Sequence, residues 1–429
     1  MNVFIRQLTG IRFVAAAWVL LYHLQGPLNT LGILAIPVMA DVLRVGRLGV
    51  DLFFALSGFI LAHTYLSRLG PALRARGTVD FWWLRLARIY PVHLVMLVVA
   101  GVAVVAQAKV AGEAVDRDWL NPVDFAKNLL LVQEWGPDPQ RGWNFVAWSL
   151  SMEWLAYLIF PLLILILWQV HRRLPTWSLA IIWALVLTPL VLYALTTGDP
   201  YYTDNWGSTF RILTEFTSGA VAYLFVLRML KGRPDGDATP RVQRAAQFLA
   251  VALPLAVIAG ARFLGQWPPA QPISPALTGD AEPLPPYYHL VLVPLLVAWI
   301  AALALSRRGI ARFLATRTLV LGGFISYSLY MTHLVWFGVW RAGMSAVGID
   351  GGPLYALSVI GLVAGALVIA WLMWRLVEEP AREWMRGLVG ARKQPTEEAG
   401  EAIAEQDKAD PDSAAPVDVP GPSVRDEKT

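Results

Sequence analysis

The chain has 429 residues, of which 56% are hydrophobic and only 15% charged, and its formal net charge is +4. An average soluble domain carries about 25% charged residues. Here the apolar residues gather into about ten runs of roughly 20 residues, the length that crosses the hydrocarbon core of a bilayer. The composition therefore excludes a soluble globular protein and a coiled coil, and it predicts an all-α, polytopic membrane protein.

The residue types present also exclude several kinds of chemistry. The chain contains no cysteine, so disulfides, thiolate nucleophiles and cysteine-ligated metals are excluded. Its six histidines show no close metal-ligand spacing, and the sequence has no Walker loop or dinucleotide-binding glycine motif. We therefore expect no bound metal, no tightly bound cofactor and no nucleic-acid partner.

The apolar runs predict a topology of ten membrane spans. The loops after the second, fourth, sixth and eighth spans are rich in arginine and lysine, whereas the loops between them are acidic or nearly neutral. Because short positive loops stay in the cytoplasm, we expect both termini to be cytoplasmic. The first run is followed by no cleavage motif of a signal peptide, so we expect a retained helix. The predicted spans are 9–27, 46–67, 88–110, 147–169, 176–196, 208–229, 245–264, 287–305, 319–341 and 353–377.

Two segments lie outside this pattern. Residues 111–146 form the longest outer loop, in which we predict a short interfacial helix around 124–134. From Pro395 to Thr429 the chain has ten acidic residues, three basic residues and no aromatic residue. Such a segment cannot bury enough apolar surface to fold. The domain prediction is therefore a membrane domain at 1–390 and a disordered, acidic cytoplasmic tail at 391–429.

Ionisable side chains inside spans are costly, which makes each one a candidate for function. The first span contains Arg12 and His23, which are eleven residues apart. At about 100° per residue they share one helix face and lie about 16 Å apart along the axis. The alternative interpretation is a snorkelling arginine together with a structural core histidine.

The next two spans carry further charges. Asp51 lies near the predicted outer end of the second span, where His23 also lies. Arg85 and Arg88 precede the third span, and their spacing of three places both guanidinium groups on one helix face, which suits phosphate binding. The alternative for this pair is the ordinary positive charge of a cytoplasmic loop.

Three later spans also contain polar groups. The fourth span contains Glu153, the sixth contains Arg211 and Glu215, and the ninth contains Ser326, Tyr330 and His333. Arg211 and Glu215 are four residues apart and could neutralise each other. Because polar side chains from five helices fall at similar predicted depth, we expect them to line a polar cavity that opens outward.

Six motifs, in this order, resemble the acyltransferase-3 family of bacterial integral-membrane acyltransferases. They are Arg12 with His23, GVDLFFALSGF at 49–59, RLARIYP at 85–91, WSLSMEW at 148–154, ISYSLYMTHL at 325–334 and VEEP at 377–380. The resemblance implies an O-acyltransferase in the bacterial cytoplasmic (inner) membrane. Its donor would be cytoplasmic acyl-CoA, commonly acetyl-CoA, and its acceptor a hydroxyl of an extracytoplasmic glycan, glycolipid or similar molecule.

The resemblance also assigns roles to residues of this chain. His23 would act as general base on the acceptor hydroxyl or as a covalent acyl relay, and these two alternatives stay open. Glu153 or Asp51 would orient its imidazole. Arg12, Arg85 and Arg88 would hold the CoA phosphates at the cytoplasmic mouth. The predicted lining of the substrate cavity is Asp51, Arg211, Ser326, Tyr330 and His333.

Two alternatives concern the acceptor step and the class of protein. Some family members carry a fused extracytoplasmic hydrolase-like domain, whose motif this sequence lacks. We therefore expect the protein either to transfer the acyl group itself or to pass it to a separate extracytoplasmic protein. The second class is a transporter or flippase for a polar lipid or glycan, which also needs intramembrane charges. The lack of an internal repeat argues against it.

Overall fold

The computed structural model describes residues 5–112, 119–136, 142–196, 206–231, 238–264 and 288–390. Over these ranges the chain forms helices and no β-strand, so the prediction of an all-α fold is confirmed. The predicted tail at 391–429 and parts of the outer loop lie outside the described residues, and the predictions for them stay predictions.

The helices follow one another along the chain with short connections. They are α1 (Arg6–His23), α2 (Gln25–Thr30), α3 (Pro37–Arg44), α4 (Leu48–Leu69), α5 (Ala75–Ala111), α6 (Pro122–Leu129), α7 (Ala147–Arg173), α8 (Ser178–Thr196), α9 (Gly207–Met229), α10 (Pro240–Leu264), α11 (Tyr288–Leu305), α12 (Ile310–Leu314), α13 (Arg317–Val347), α14 (Gly352–Met373) and α15 (Glu379–Leu388). A π-helical turn, Trp374–Glu378, joins the last two.

Within the described ranges, nine helices are long and apolar enough to cross a membrane, which confirms a polytopic helical membrane protein. The predicted first span, α1, is not one of the nine, although it has 18 residues. It contains Arg6, Gln7 and Arg12, which lower its hydropathy. It nevertheless packs inside the bundle against α4 and α13.

Three local features differ from the predicted spans. Helix α5 has 37 residues and is about 56 Å long, so Arg85 and Arg88 lie within this helix and not in a loop before it. The outer-loop helix α6 is shorter than predicted, because the backbone of Leu131 adopts a left-handed φ of 58° soon after its end. Two short helices, α2 and α3, follow α1 without having been predicted.

Helix α4 lies at the centre of the bundle and packs against α1, α7, α9 and α11. Two glycines allow α4 and α9 to approach closely. A Cβ atom on Gly58 would lie 1.8 Å from the carbonyl oxygen of Phe216, and one on Gly219 would lie 1.9 Å from that of Ala55. Small residues at such crossings let helix backbones touch inside membranes. The GVDLFFALSGF motif thus serves packing as well as the site.

Contacts between helices show the direction in which each one runs. Helices α1 and α4 are antiparallel, whereas α1 and α13 are parallel, and so are α4 and α9. The residue pairs that show this are Gly49 with Ala15 and Gly46 with Trp18; Gly323 with Thr9 and His333 with His23; Asp51 with Arg211 and His63 with Tyr223. These directions agree with alternating spans, and the cytoplasmic placement of the termini stays a prediction.

Candidate active site

A cavity of about 100 Å³ lies in the middle of the bundle, between α1, α4, α5, α7 and α13. All five helices contribute polar groups to its wall. They are Arg12, Ser57, Arg85, Arg88, Ser149, Glu153, Tyr157, Tyr327 and Tyr330. The structure therefore brings together both parts of the predicted arginine pair, the arginine of the first span, the glutamate of the fourth and one residue of the ninth.

The three arginines of the cavity differ in their partners. Arg88 forms an ion pair with Glu378, and the other carboxylate oxygen of Glu378 accepts a hydrogen bond from Ser328 at 2.7 Å. Arg12 and Arg85 form no hydrogen bond or ion pair with any residue of the described ranges, and the Nε atom of each is buried. The cavity wall thus holds two cations that lack a close anionic partner in the described protein.

Glu153 is held in the same cavity by two hydroxyl groups. Its Oε1 accepts hydrogen bonds from Ser57 Oγ, at 2.9 Å, and from the hydroxyl of Tyr157. Tyr157 follows Glu153 by one helical turn, so the spacing of four on α7 makes this contact possible. Glu153 makes no contact with His23 in the structure, which differs from the expectation that it orients the imidazole.

His23 lies at the end of α1 and pairs with a second histidine outside the cavity. Its Nδ1 is 3.1 Å from Nε2 of His333 and 2.9 Å from the carbonyl oxygen of Val19. The Nδ1 of His333 is 2.7 Å from the carbonyl oxygen of Tyr330. The imidazole of His23 is therefore oriented by His333 and a backbone carbonyl, and neither Glu153 nor Asp51 takes that role.

Tyr330 connects the cavity with the histidine pair. Its hydroxyl lies at the cavity wall and accepts a hydrogen bond from Ser149 at 2.8 Å. Its backbone carbonyl, as described above, faces His333 from the same turn of α13. The arginine cluster and the histidine pair are thus adjacent regions of one site, with Arg12 and His23 at about 16 Å along α1.

Asp51 and Arg211 were predicted in the substrate cavity, but they form a separate buried ion cluster. Arg211 donates from Nε and Nη2 to the two oxygens of Asp51, at 2.9 and 2.7 Å. Glu215 lies 3.7 Å from Arg211, and His289 lies 3.2 Å from Asp51. Arg211 therefore pairs first with Asp51 and only weakly with Glu215, contrary to the expected self-neutralised pair.

The same cluster is the place where a metal ligand set could be suspected. Ligand atoms of Asp51, Glu215 and His289 lie within 4.8 Å of one another. Arg211, however, already supplies a positive charge and occupies both oxygens of Asp51. The arrangement is better explained as an internal ion cluster that joins α4, α9 and α11.

Ser326 also differs from its predicted place. Its hydroxyl donates to the carbonyl oxygen of Gly323 at 2.8 Å, and the side chain is fully buried away from the cavity. Conversely, the sequence interpretation gave no role to four groups of the site. They are Ser57, Tyr157, Tyr327 and Glu378. The spacing of Tyr157 from Glu153, and the VEEP motif around Glu378, are the signals that could have indicated two of them.

The helical bundle and its central polar cavity define a membrane-embedded protein with an internal site. Residues 5–375 match the acyltransferase-3 family, described as an acyltransferase domain, so the chain belongs to this family and is an acyltransferase. The family resemblance is thereby confirmed.

Relatives of known name agree with this class. The acyltransferase MdmB of Streptomyces mycarofaciens is 28% identical over 387 residues, which cover 86% of this chain and 87% of that protein. The O-acetyltransferase OatA of Staphylococcus aureus is 23% identical over 391 residues, which cover 88% of this chain and 57% of that protein. The chain thus spans little more than half the length of OatA. No solved structure matches the chain.

Proposed function

We propose that this protein is an acyl-CoA-dependent O-acyltransferase of the bacterial cytoplasmic membrane. It moves a short acyl group, acetyl in the simplest case, to a hydroxyl of an extracytoplasmic glycan or glycolipid. The observation that carries the proposal is the pair Arg12 and Arg85, two cavity cations without a close anionic partner in the described ranges. Charged groups in a membrane interior need a partner or water, so this pair favours an anionic ligand.

The CoA part of the donor matches what the arginines can bind. Guanidinium groups form forked, charge-assisted hydrogen bonds with phosphate oxygens. In acyl-CoA the pantetheine arm separates these phosphates from the thioester. Phosphates held near Arg12 and Arg85 would therefore leave the thioester free to extend towards His23, about 16 Å further along α1.

The transfer step needs one base and one leaving group. His23 Nε2 takes the proton of the acceptor hydroxyl while the oxygen attacks the thioester carbonyl and a C–O bond forms. The tetrahedral intermediate then collapses, the C–S bond breaks, and the proton on His23 passes to the departing CoA thiolate. The products are the acyl ester and free CoA, with no other reactant. A covalent acyl-histidine relay would use the same residue in two steps.

The proposal is tested first at the donor site. Purified protein in lipid nanodiscs would be titrated with acetyl-CoA, and the thiol released with an acceptor would be followed with a thiol reagent. The chain has no cysteine, so it contributes no background. We expect Arg12→Gln and Arg85→Gln each to weaken acetyl-CoA binding by about 10- to 100-fold, the effect of losing a hydrogen bond to a charged group.

The control variant is Arg308→Gln, which removes an exposed arginine outside the cavity and should bind acetyl-CoA normally. Arg88→Gln is the informative contrast, because Arg88 is neutralised by Glu378. It should lower folded yield more than donor affinity. Wild-type acetyl-CoA affinity in the Arg12→Gln, Arg85→Gln double variant would refute the donor site.

The same preparation separates the enzyme from a transporter or flippase. In proteoliposomes with labelled acetyl-CoA, the enzyme should release CoA thiol and move label to the acceptor fraction. A transporter would move a labelled polar lipid between leaflets without any release of thiol. Label that stays on the protein in the wild type and is absent in His23→Gln would indicate the covalent relay.

A further inference from the structure

The contacts of the two histidines fix the positions of their protons. The Nδ1 atoms of His23 and His333 each face a backbone carbonyl oxygen, at 2.9 and 2.7 Å. A carbonyl oxygen can only accept a hydrogen bond, so each Nδ1 must carry a proton. A neutral imidazole has a single N–H, and the Nε2 of each ring therefore carries a lone pair.

The two rings are also joined in one direction only. His333 Nε2 lies 3.1 Å from His23 Nδ1, so it accepts a second branch of the same N–H that faces Val19. Both nitrogens of His333 are then engaged, and its side chain is only 2% exposed. His23 is half-buried, and no polar group in the described part of the chain contacts its Nε2. Of the two histidines, only His23 has a nitrogen available to take a proton.

We infer that His333 is a positioning residue that holds His23 in the tautomer whose basic atom is Nε2. The inference rests on the proposed acyl transfer. When His23 takes the proton of the acceptor hydroxyl, its Nδ1–H bond to His333 becomes charge-assisted and stabilises the imidazolium. His333 thus takes the role that a carboxylate takes in a serine–histidine–aspartate triad, without adding a buried negative charge.

The kinetic test uses two substitutions at the same position. His333→Phe keeps a ring but removes the acceptor, whereas His333→Gln keeps an oxygen that can accept from Nδ1–H. We expect His333→Phe to lower kcat by about 10- to 100-fold, since a hydrogen bond to a charged group is lost. The acetyl-CoA Kd should stay unchanged. His333→Gln should recover most of the lost kcat, which a purely steric role would not predict.

A matched control is His63→Phe, which makes the same change at another buried histidine, on α4, whose ring contacts Tyr223. It should leave kcat near the wild-type value. A kcat of His333→Phe equal to that of the wild type in folded protein would overturn the inference. So would an equal loss in His333→Phe and His333→Gln at wild-type stability.

The tautomers can be measured directly, and this does not depend on any enzyme assay. Solid-state NMR of ¹⁵N-histidine-labelled protein in bilayers at neutral pH distinguishes protonated Nδ1 from protonated Nε2. Spectra of His23→Gln and His333→Gln would assign the two rings. We expect both to show a protonated Nδ1 and an unprotonated Nε2. A protonated Nε2 on neutral His23 would overturn the inference even if acyl transfer is confirmed, whereas absent transfer with the expected tautomers would count against the proposed function alone.

Discussion

The buried cluster around Arg211 leads to an asymmetric prediction for stability. Asp51 and Glu215 both lie beside this single arginine, and the three side chains are at most 2% exposed. Replacing Arg211 by Gln leaves two carboxylates without a cation. Breaking a buried pair in this way costs about 3–5 kcal/mol, which lowers the ratio of folded to unfolded protein by about two to three orders of magnitude.

Replacing Asp51 by Asn should be milder. Arg211 then keeps Glu215 as an anionic partner at 3.7 Å, and the loss is limited to hydrogen bonds of about 1–3 kcal/mol. The double variant should be more stable than Arg211→Gln alone, because it removes one of the two stranded acids. This non-additivity is the signature of residues that share one cluster.

The assay is unfolding by SDS in mixed micelles, followed by tryptophan fluorescence and checked for reversibility. The control pair is Asp41 with Arg262, which are 3.0 Å apart but have an arginine that is 58% exposed. Asp41→Asn should cost at most about 1 kcal/mol, as expected for a solvent-exposed pair. Equal losses for Arg211→Gln and Asp51→Asn would refute the reasoning. Full stability of Asp51→Asn with lost acyl transfer would return Asp51 to the substrate site.

Two further predictions concern packing and topology. Gly58→Ala and Gly219→Ala should each sharply reduce folded yield in size-exclusion profiles, because the new Cβ would overlap a backbone oxygen, whereas Gly361→Ala meets nothing within 4 Å and should be neutral. Single cysteines at Asp350 and Arg173, both exposed, should react differently with an impermeant maleimide in intact cells: Asp350→Cys should be labelled from outside and Arg173→Cys only after permeabilisation. Labelling of Arg173→Cys in intact cells would contradict the predicted orientation.

The sequence predicts features that depend on local spacing. The apolar runs locate the membrane helices, and the spacing of Arg85 and Arg88 correctly places both side chains at one cavity. The spacing holds because residues three apart share a face of a continuous helix. It fails to show which of the two is already neutralised. Glu378, the partner of Arg88, is 290 residues away in the chain.

The single outward cavity predicted from five helices is the main error of the sequence interpretation. Hydropathy gives the depth of a residue in its span, but it does not give the direction in which the side chain points around the helix axis. Residues at similar predicted depth therefore divide into the arginine cavity, the histidine pair and the ion cluster. The contacts that separate these groups join His23 to His333 and Asp51 to Arg211, which are 310 and 160 residues apart.

The division of the site has a consequence for how acyl transfer can fail. Donor binding depends on Arg12 and Arg85, whereas proton transfer depends on His23, and the two regions meet at Tyr330. The ring of Tyr330 packs edge-on against Phe53, with the ring centroids 6.3 Å apart, and both line the cavity. A thioester that starts among the arginines must pass this aromatic contact to reach the imidazole. Loss of affinity for acyl-CoA and loss of kcat should therefore be separable, and a variant that impairs both at once points to the contact between the regions or to the fold of α13.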